Sequence, residues 1–268
     1  MKKALLVFLF LLFYKSVAFC QSIDTHWANV YKLGISSYYK AHTQNIKSIK
    51  VKELGFYASG KTYQNTFEFN FTNPKQVQGR LFKGKKLTSK FLYELDDQGR
   101  NVRNIIEYKT PLIGWQKSIY EFEYQNNNKV IERHYNGKGQ LLRTVNFEYD
   151  SHHHPTKMFI TNAFDEKTMF ATATYDYPNK KYVYKAFKIN GKKVLEQTRA
   201  CNVDKSINQR NGYGDYVKVI IPNANNNAYH ILKYKYDKQG NWVKRRKYYK
   251  GKGSKELTSI IKRKIIYK

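Results

Sequence analysis

Three consecutive histidines, His152, His153 and His154, are the most conspicuous set of potential metal ligands in the chain. In a turn, unlike in a strand, two neighbouring imidazoles can converge on Zn²⁺, Ni²⁺ or Cu²⁺. No cysteine or pair of carboxylates stands beside them at ligand spacing, although Asp150 is close. Their place in a repeated turn favours exposed loop residues. We therefore predict neither a metal site nor a cofactor.

Side chains that could catalyse a hydrolysis are scattered along the chain. Glu121, Glu123 and Glu148 fall on the polar faces of predicted strands, where cross-strand ion pairs are the ordinary role, and His134 and His230 are the remaining candidate bases. No HExxH, GxSxG, P-loop or Rossmann glycine motif is present. We predict a non-catalytic protein. A secreted hydrolase of a polyanion is an alternative, because the separation of two carboxylates is a spatial property.

A tyrosine-rich segment recurs at intervals of about 25–30 residues, the period of a repeat architecture. Its clearest copies are Tyr93-Glu-Leu-Asp-Asp-Gln-Gly99 and Tyr234-Lys-Tyr-Asp-Lys-Gln-Gly240, and weaker copies begin at Phe122, Phe147 and Tyr175. Aromatic and polar residues alternate within the copies, which places the rings on one face of a strand and the polar groups on the other. Each copy is therefore predicted to be the end of a strand that runs into a tight turn.

Turn-forming residues follow each copy. An Asp or Asn can cap its own turn, and a Gly supplies the positive φ that the turn needs. In the weaker copies Asn128, His153 and Lys181 occupy the glycine position. Asn136-Gly137 and Asn190-Gly191 are typical of a second class, the type I′ hairpin. The predicted turn residues are Asp96, Gly99, Asn136, Gly137, Asp150, Asn190, Gly191, Asp237 and Gly240.

The order of strands and turns predicts an all-β fold. We expect an extended antiparallel meander of repeated hairpins, as a twisted sheet or open roll, preceded by a short N-terminal helix. All five prolines fall at predicted turns, as expected because proline cannot donate to a strand ladder. Segment 202–215 is predicted as a degenerate unit or irregular loop, and 223–227 as a loop. The predicted strands are 48–58, 62–72, 77–82, 86–95, 101–109, 115–124, 129–135, 140–149, 156–162, 168–177, 181–189, 193–201, 216–221, 228–236, 242–249 and 256–267.

The motif of an aromatic, any residue, Tyr-Asp, two residues and Gly resembles the Rhs/YD-repeat family, especially small secreted proteins of Bacteroidota with a few degenerate copies. The best match runs from Tyr234 to Arg245, and the resemblance covers residues 50–268. Large members of that family enclose a toxin in a β-shell, for which this chain is too short. The resemblance implies a β-repeat architecture at or beyond the cell surface and no catalytic residues. It also implies an alternative function, as a partner or immunity-type component of a toxin system.

The N-terminus has the pattern of a secretory signal peptide over residues 1–20, with Lys2 and Lys3 before an apolar stretch from Ala4 to Tyr14. The alternative is a lipoprotein acylated at Cys20, which Phe19 disfavours because a small residue is expected there. We predict an exported protein, periplasmic, at the cell surface or extracellular. The predicted domains are the signal peptide (1–20), a short helical cap or linker (21–47) and one β-hairpin repeat domain (48–268). No transmembrane helix is expected after cleavage.

The net charge of +29 favours anionic partners. Removal of residues 1–20, which hold three lysines and no acid, leaves +26. We predict a binding or structural module for an anionic polysaccharide, lipopolysaccharide or a protein, with non-specific polyanion binding in addition. In the densest basic stretch, cations interleaved with aromatics can form a stacking surface, although lysines on a solvent face and aromatics in a core explain the same pattern. The predicted contact residues are Trp242, Lys244, Arg245, Arg246, Lys247, Tyr248 and Tyr249.

Overall fold

The computed structural model describes residues 36–39, 45–126, 128–201, 208–221, 228–251 and 253–268. The chain divides into two units, Met1–Ser37 and Tyr38–Lys268, and the contacts described below lie within the second. Among these residues, a short helix, α1 (Ser36–Tyr39), precedes a single sheet of 17 strands. No helix within the described ranges is long and apolar enough to cross a membrane. The predicted all-β fold is confirmed.

The strands follow the predicted pattern closely. They are β1 (Ile46–Phe56), β2 (Thr62–Asn73), β3 (Gln76–Lys83), β4 (Lys86–Leu95), β5 (Asn101–Thr110), β6 (Gly114–Gln125), β7 (Asn128–Asn136), β8 (Leu141–Tyr149), β9 (Pro155–Asn162), β10 (Lys167–Asp176), β11 (Lys181–Lys188), β12 (Lys193–Ala200), β13 (Gln209–Arg210), β14 (Tyr216–Ile220), β15 (Tyr229–Tyr236), β16 (Trp242–Lys250) and β17 (Lys255–Tyr267). Every predicted strand is present within two residues at each end. The additional strand, β13, lies in the segment predicted as a degenerate unit.

Successive strands pair as antiparallel hairpins from β1 to β12 and from β13 to β17. The first and last strands also pair, with Val51 opposite Arg263. β1 therefore pairs on both sides and is an interior strand of the sheet. Within the described residues, the sheet is open between β12 and β13.

The two open edges are consecutive in sequence, and this limits the form of the sheet. Laid flat, 17 strands would be ~77 Å wide at a spacing of about 4.8 Å. Ala200 at the end of β12 and Gln209 at the start of β13 are joined by a connection that spans at most ~32 Å when fully extended. The sheet therefore curves so that its edges approach each other.

One face of the sheet holds the core. In β1, Ile49, Val51 and Glu53 are buried and alternate with exposed Lys50 and Lys52. We call the buried side the core face and the lysine side the outer face. The same period of two in the neighbouring strands gives each residue its side of the sheet.

Helix α1 contributes two tyrosines to the core face. The ring of Tyr38 lies 5.0 Å from that of Phe67, and the ring of Tyr39 lies 5.2 Å from Phe69 and 5.4 Å from Tyr93. Aromatic pairs of this geometry contribute about 0.5–1.5 kcal/mol each beyond the area that they bury. The predicted signal peptide and most of the predicted cap, residues 21–35 and 40–44, lie outside the described residues.

A single kind of turn closes most of the repeats. At the first clear copy, Gly99 has a φ of 70° and donates its amide to the carbonyl of Asp96 at 2.9 Å. The Asp96 carboxylate accepts the amides of Gln98 at 3.0 Å and Arg100 at 2.8 Å. This is a type I turn followed by a bulge residue of positive φ, the usual three-residue hairpin loop. Asp237 and Gly240, with a φ of 78°, repeat the arrangement.

The same turn also forms where the sequence predicts a type I′ hairpin. Positive φ falls on Gly139 (81°) and on neither Asn136 nor Gly137, so the type I′ assignment is wrong there. The Asn136 side chain accepts two backbone amides as Asp96 does. At Asn190-Gly191 only Gly191 has a positive φ (76°), and a type I′ turn needs two such residues. Asn136 therefore takes the place of Asp in the common turn, whereas at the second hairpin Lys188 holds that position.

The glycine position of the weaker copies is only partly as predicted. His153 occupies it with a φ of 64°. In the other two copies the positive φ falls on Asn126 (48°) and Lys180 (52°), not on Asn128 and Lys181. The first of these hairpins has a shorter loop than the common turn and the second has a longer one. The residue of positive φ therefore falls at a different position in each.

Tyrosine hydroxyls join each repeat to the one before it. In four repeats a tyrosine Oη donates to a backbone carbonyl near the start of a strand that follows an earlier turn. The pairs are Tyr124–Asn101 (2.8 Å), Tyr149–Lys129 (2.6 Å), Tyr175–Pro155 (2.8 Å) and Tyr234–Tyr216 (3.0 Å). The rings thus fill the core while their hydroxyl groups satisfy backbone acceptors at the ends of the strands.

Candidate functional site

The predicted basic contact residues are divided between the two faces of β16. Trp242 and Arg245 are buried on the core face, 3% and 4% exposed, and Lys247 and Tyr249 lie on the same side. The other three, Lys244, Arg246 and Tyr248, lie on the outer face. Successive side chains of a strand point to opposite faces of the sheet. The basic stretch therefore does not form one surface.

The cations of the core face belong to a buried cluster. Arg263 of β17 lies 3.6 Å from the Trp242 ring centroid and donates to the carbonyls of Trp242 at 2.7 Å and Tyr38 at 3.2 Å. The guanidinium of Arg245 lies 5.1 Å from the same indole. These side chains hold α1 against the sheet. Trp242 and Arg245 are thus turned away from solvent.

Glu53 is the acid of this buried cluster. Its carboxylate accepts the Tyr38 hydroxyl at 2.8 Å and the Asn65 amide at 3.3 Å. Burial, followed by the charge of Arg245, lowers the pKa of Lys247, and Glu53 acts in the opposite direction. The cluster therefore supports the position of α1 through charges that are largely removed from water.

On the outer face, four lysines stand opposite one another in neighbouring strands. Lys235 of β15 pairs with Lys244 of β16, Lys244 with Lys262 of β17, and Lys262 with Lys52 of β1. We call this set the lysine row. Neighbouring strands are about 4.8 Å apart, so the row is about 14 Å long.

Further cations flank the lysine row on the same face. Together they form what we call the basic face: Lys50, Lys52, Lys233, Lys235, Lys244, Arg246, Lys262 and Lys264. All are exposed except Lys244, which is half-buried. No Asp or Glu shares the outer face over these register positions of β15, β16, β17 and β1. The nearest paired acid is Glu68 of β2, bonded to Lys50 at 2.8 Å.

The cations of the basic face repel one another. Arg246 foremost, then burial and the ammonium groups of Lys262 and Lys235, lower the pKa of Lys244. Like charges directly opposite in a sheet are destabilising. An anion laid along the row would relieve this repulsion.

Two aromatic rings lie near one end of the same face. The Lys255 ammonium lies 4.6 Å from the Tyr248 ring centroid, and the Lys218 ammonium lies 4.4 Å from that of Tyr229. Both rings already carry a cation. No aromatic residue lies within the lysine row itself.

The three histidines have separate environments. His154 is 4% exposed, with its Nδ1 2.7 Å from the Tyr177 hydroxyl. His153 is exposed, with Nδ1 3.0 Å from the Asn128 amide. His152 stacks on Tyr177 at 4.6 Å. Among the described residues, no three His, Cys, Asp or Glu side chains gather as a metal site.

The other candidate catalytic residues have ordinary partners in the sheet. Glu121 accepts the Tyr135 hydroxyl at 2.9 Å, Glu123 pairs with Arg133, and Glu148 pairs with Lys157 at 2.9 Å. His134 stacks on Tyr120 at 4.5 Å, and His230 lies opposite Tyr249. These acids and histidines are thus spread over several strands rather than gathered at one place.

Cys201 is a buried thiol, 2% exposed. Burial, followed by the charge of Asp150, raises its pKa to about 12. The thiol is therefore protonated at neutral pH, and a protonated thiol is a poor nucleophile.

The contact residues predicted from the sequence include only two of the eight residues of the basic face, Lys244 and Arg246, and miss the other six. Lys50 and Lys52 lie near the start of the sheet domain, and Lys262 and Lys264 lie near its end. Each pair shows the spacing of two that marks one strand face, which is a local signal. Lys50 and Lys52 join the cations of β16 and β17 on one face only because β1 pairs with β17, and no local sequence pattern signals that pairing.

No protein-family model matches the chain, and no curated protein matches it. Among solved structures it is similar to a porin-like protein from Bacteroides uniformis ATCC 8492, with 14% identity and a TM-score of 0.39 over 84% of this chain and 99% of that one. A porin-like protein from Bacteroides vulgatus ATCC 8482 gives 10% identity and a TM-score of 0.33 over 84% and 99%. A TcdB2-TccC3 structure gives 12% identity and a TM-score of 0.24 over 77% of this chain and 14% of that one. Membership of the YD-repeat family stays a prediction.

Proposed function

We propose that this protein is an exported, non-catalytic β-repeat module that binds a linear polyanion on its basic face. The observation that carries the proposal is the lysine row, in which Lys235, Lys244, Lys262 and Lys52 stand directly opposite one another with no acid between them. A surface that only kept the protein soluble would interleave charges of both signs.

The rest of the sheet supports this interpretation by contrast. Where β4, β5 and β6 meet, the outer face alternates charges, since Arg103 lies 3.5 Å from both Glu94 and Glu121. The same fold therefore neutralises its charges in one region and concentrates a single sign in another. The net charge of +29 would also draw anions toward the molecule from a distance.

The proposed contact set differs from the predicted one. Lys244, Arg246 and Tyr248 remain in it, because they lie on the outer face. Trp242 and Arg245 leave it because they are buried. Lysines from β1, β15 and β17 take their place.

The test is binding to immobilised polygalacturonate at about 0.1 M salt, where the Debye length of about 10 Å leaves contacting charges active and screens more distant ones. The triple variant Lys52→Glu, Lys244→Glu, Lys262→Glu should bind roughly 10- to 100-fold more weakly than the wild type, as each lost or reversed surface contact contributes up to about 1 kcal/mol. Neutral dextran should bind neither protein.

A charge-matched control separates a site from net charge. Lys83, Lys85 and Lys86 are exposed at the hairpin between β3 and β4, outside the basic face and separated from β1 by β2. Their triple change to Glu alters the net charge by the same amount and should leave binding within about threefold of wild type, because long-range attraction is screened. Equal losses in the two triple variants, or no loss in the first, would refute the proposal.

A further inference from the structure

The direction of the longest run of cations on the basic face suggests how a ligand lies. Along each strand, no more than two cations follow one another on the outer face: Lys233 and Lys235 in β15, Arg246 and Lys244 in β16, Lys264 and Lys262 in β17, Lys50 and Lys52 in β1. Across the strands, the lysine row gives four in sequence. A straight polyanion therefore meets more cations when it crosses the strands than when it follows one.

The ends of the lysine row are defined by the register. Beyond Lys52, the outer-face position in β2 is Thr66. On the other side, the ladder between β14 and β15 extends along β15 only from Tyr229 to Ile231, so Lys235 has no partner in the described residues of β14. The row therefore offers four cationic positions at a spacing of about 4.8 Å.

The residues beside the row favour a glycan over a nucleic acid. Ile260 and Leu54 stand opposite each other next to the row on the same face, and Leu54 is 38% exposed. Single-stranded nucleic acids are normally held by aromatic rings on which the bases stack. The row has no such ring, and the two aromatic rings near one end of this face, Tyr248 and Tyr229, each already carry a lysine ammonium.

We propose that the lysine row binds an acidic polysaccharide with one carboxylate per sugar, laid across the strands so that four consecutive sugars each meet one lysine. The spacing between strands is roughly the length of one sugar ring in a linear glycan. This inference rests on the proposed polyanion-binding function and adds its ligand class, orientation and length.

The experiment is calorimetric titration of the full protein with oligogalacturonates of two to six sugars at low salt. Affinity should rise about threefold with each sugar up to four, since each adds one exposed ion pair, and should then change by less than about twofold. Lys262→Gln, within the row, should lower the affinity for the four-sugar probe by about three- to fivefold. Lys264→Gln, on the same strand and face but outside the row, should change it by less than about twofold.

The outcomes distinguish this inference from the function on which it rests. A steady rise in affinity through six sugars, or equal effects of the two lysine variants, would overturn the four-position row while polyanion binding stands. Tighter binding of an oligothymidylate of equal charge would overturn the glycan class. If neither immobilised polygalacturonate nor the oligothymidylate binds, the proposed function itself fails.

Discussion

The hydroxyl of Tyr236 donates a hydrogen bond to Oδ2 of Asp215 at 2.9 Å, in the turn that precedes its own by one repeat. The amide of Asn211, at the start of that turn, donates to the same hydroxyl at 2.6 Å. One tyrosine thus bonds to both the first and the last residue of the turn, and this fixes the position of one hairpin against the next.

The next turn contains the same three groups in the opposite order. There Tyr267 donates to the carboxylate of Asp237, which is the first residue of the turn, and accepts from the amide of Asn241 at 3.0 Å, which is the last. In these two turns the hydroxyl bonds to one carboxylate and one amide, and the turn supplies them from either end. The Asp of the repeat motif therefore accepts backbone amides of its own turn and also bonds to a tyrosine of another repeat.

Exchange of the two residues in the first turn tests this relationship. Asn211→Asp should reduce the free energy of unfolding by about 1 kcal/mol, because it leaves the Tyr236 hydroxyl between two carboxylates with no donor. Asp215→Asn should cost less, because the oxygen of the new amide can still accept the hydroxyl proton. The double variant recreates the order found at Asp237 and Asn241 and should recover to within about 0.5 kcal/mol of wild type. Urea denaturation of the four proteins measures this. Additive losses in the double variant would contradict the relationship.

Replacement of the glycine in the repeated turn should destabilise the protein through the backbone. Gly240 has a φ of 78°, and a Cβ there would lie 3.1 Å from the ring of Tyr213. Gly240→Ala should cost about 1–2 kcal/mol of unfolding free energy. Gly212, in the adjacent turn, has no positive φ and open space around a Cβ, so Gly212→Ala is the matched control and should be neutral or slightly stabilising. Similar losses in both would show that the positive φ is not the cause.

The buried acid Glu53 should matter far more than an exposed acid nearby. Glu53→Ala leaves the Tyr38 hydroxyl and the buried cations without their anion, and we expect a loss of about 3–5 kcal/mol. Glu68→Ala in the adjacent strand removes only an exposed ion pair with Lys50 and should cost less than about 1 kcal/mol. Thermal or urea unfolding of the two variants provides the comparison. A reversed order would mean that the core-face cluster does not support the fold.

Stability should fall in mild acid because of His230. Burial, then the nearby charge of Lys247, lowers its pKa to about 4 from the ordinary value of 6.5. Unfolded His230 takes up a proton below about pH 6.5, whereas the folded residue does so only near pH 4, so its stabilising effect is full above pH 6.5 and is lost as pH falls toward 4. The loss should be roughly 3 kcal/mol by pH 4.

Urea titrations of wild type and His230→Leu at several values between pH 7.5 and pH 4 would measure this effect. The variant removes the titrating group and should show a shallower decline with falling pH. Parallel curves for the two proteins would contradict the assignment. His134, whose pKa burial and Arg143 also lower, should account for part of the decline that remains.

The repeated strands and turns could be predicted from the sequence because their causes are local. Alternation in Tyr120, Phe122 and Tyr124 marks one strand face, and Asp96 with Gly99 marks a turn, within a few residues in each case. The type I′ prediction at Asn136-Gly137 failed because a second glycine, Gly139, offered the positive φ two residues later. Two nearby glycines can support different turns, and the pairing of the strands selects between them.

Local sequence patterns were enough to place the strands, to assign Asp and Asn as turn caps and to show the excess of positive charge. Three features of the basic face needed the assembled sheet: β1 pairs with β17, Arg245 is buried while Arg246 is exposed, and Lys52 stands opposite Lys262. The difference is one of range. Strand and turn preferences act over a few residues, whereas pairing between the two ends of a chain depends on the core that all the strands bury together.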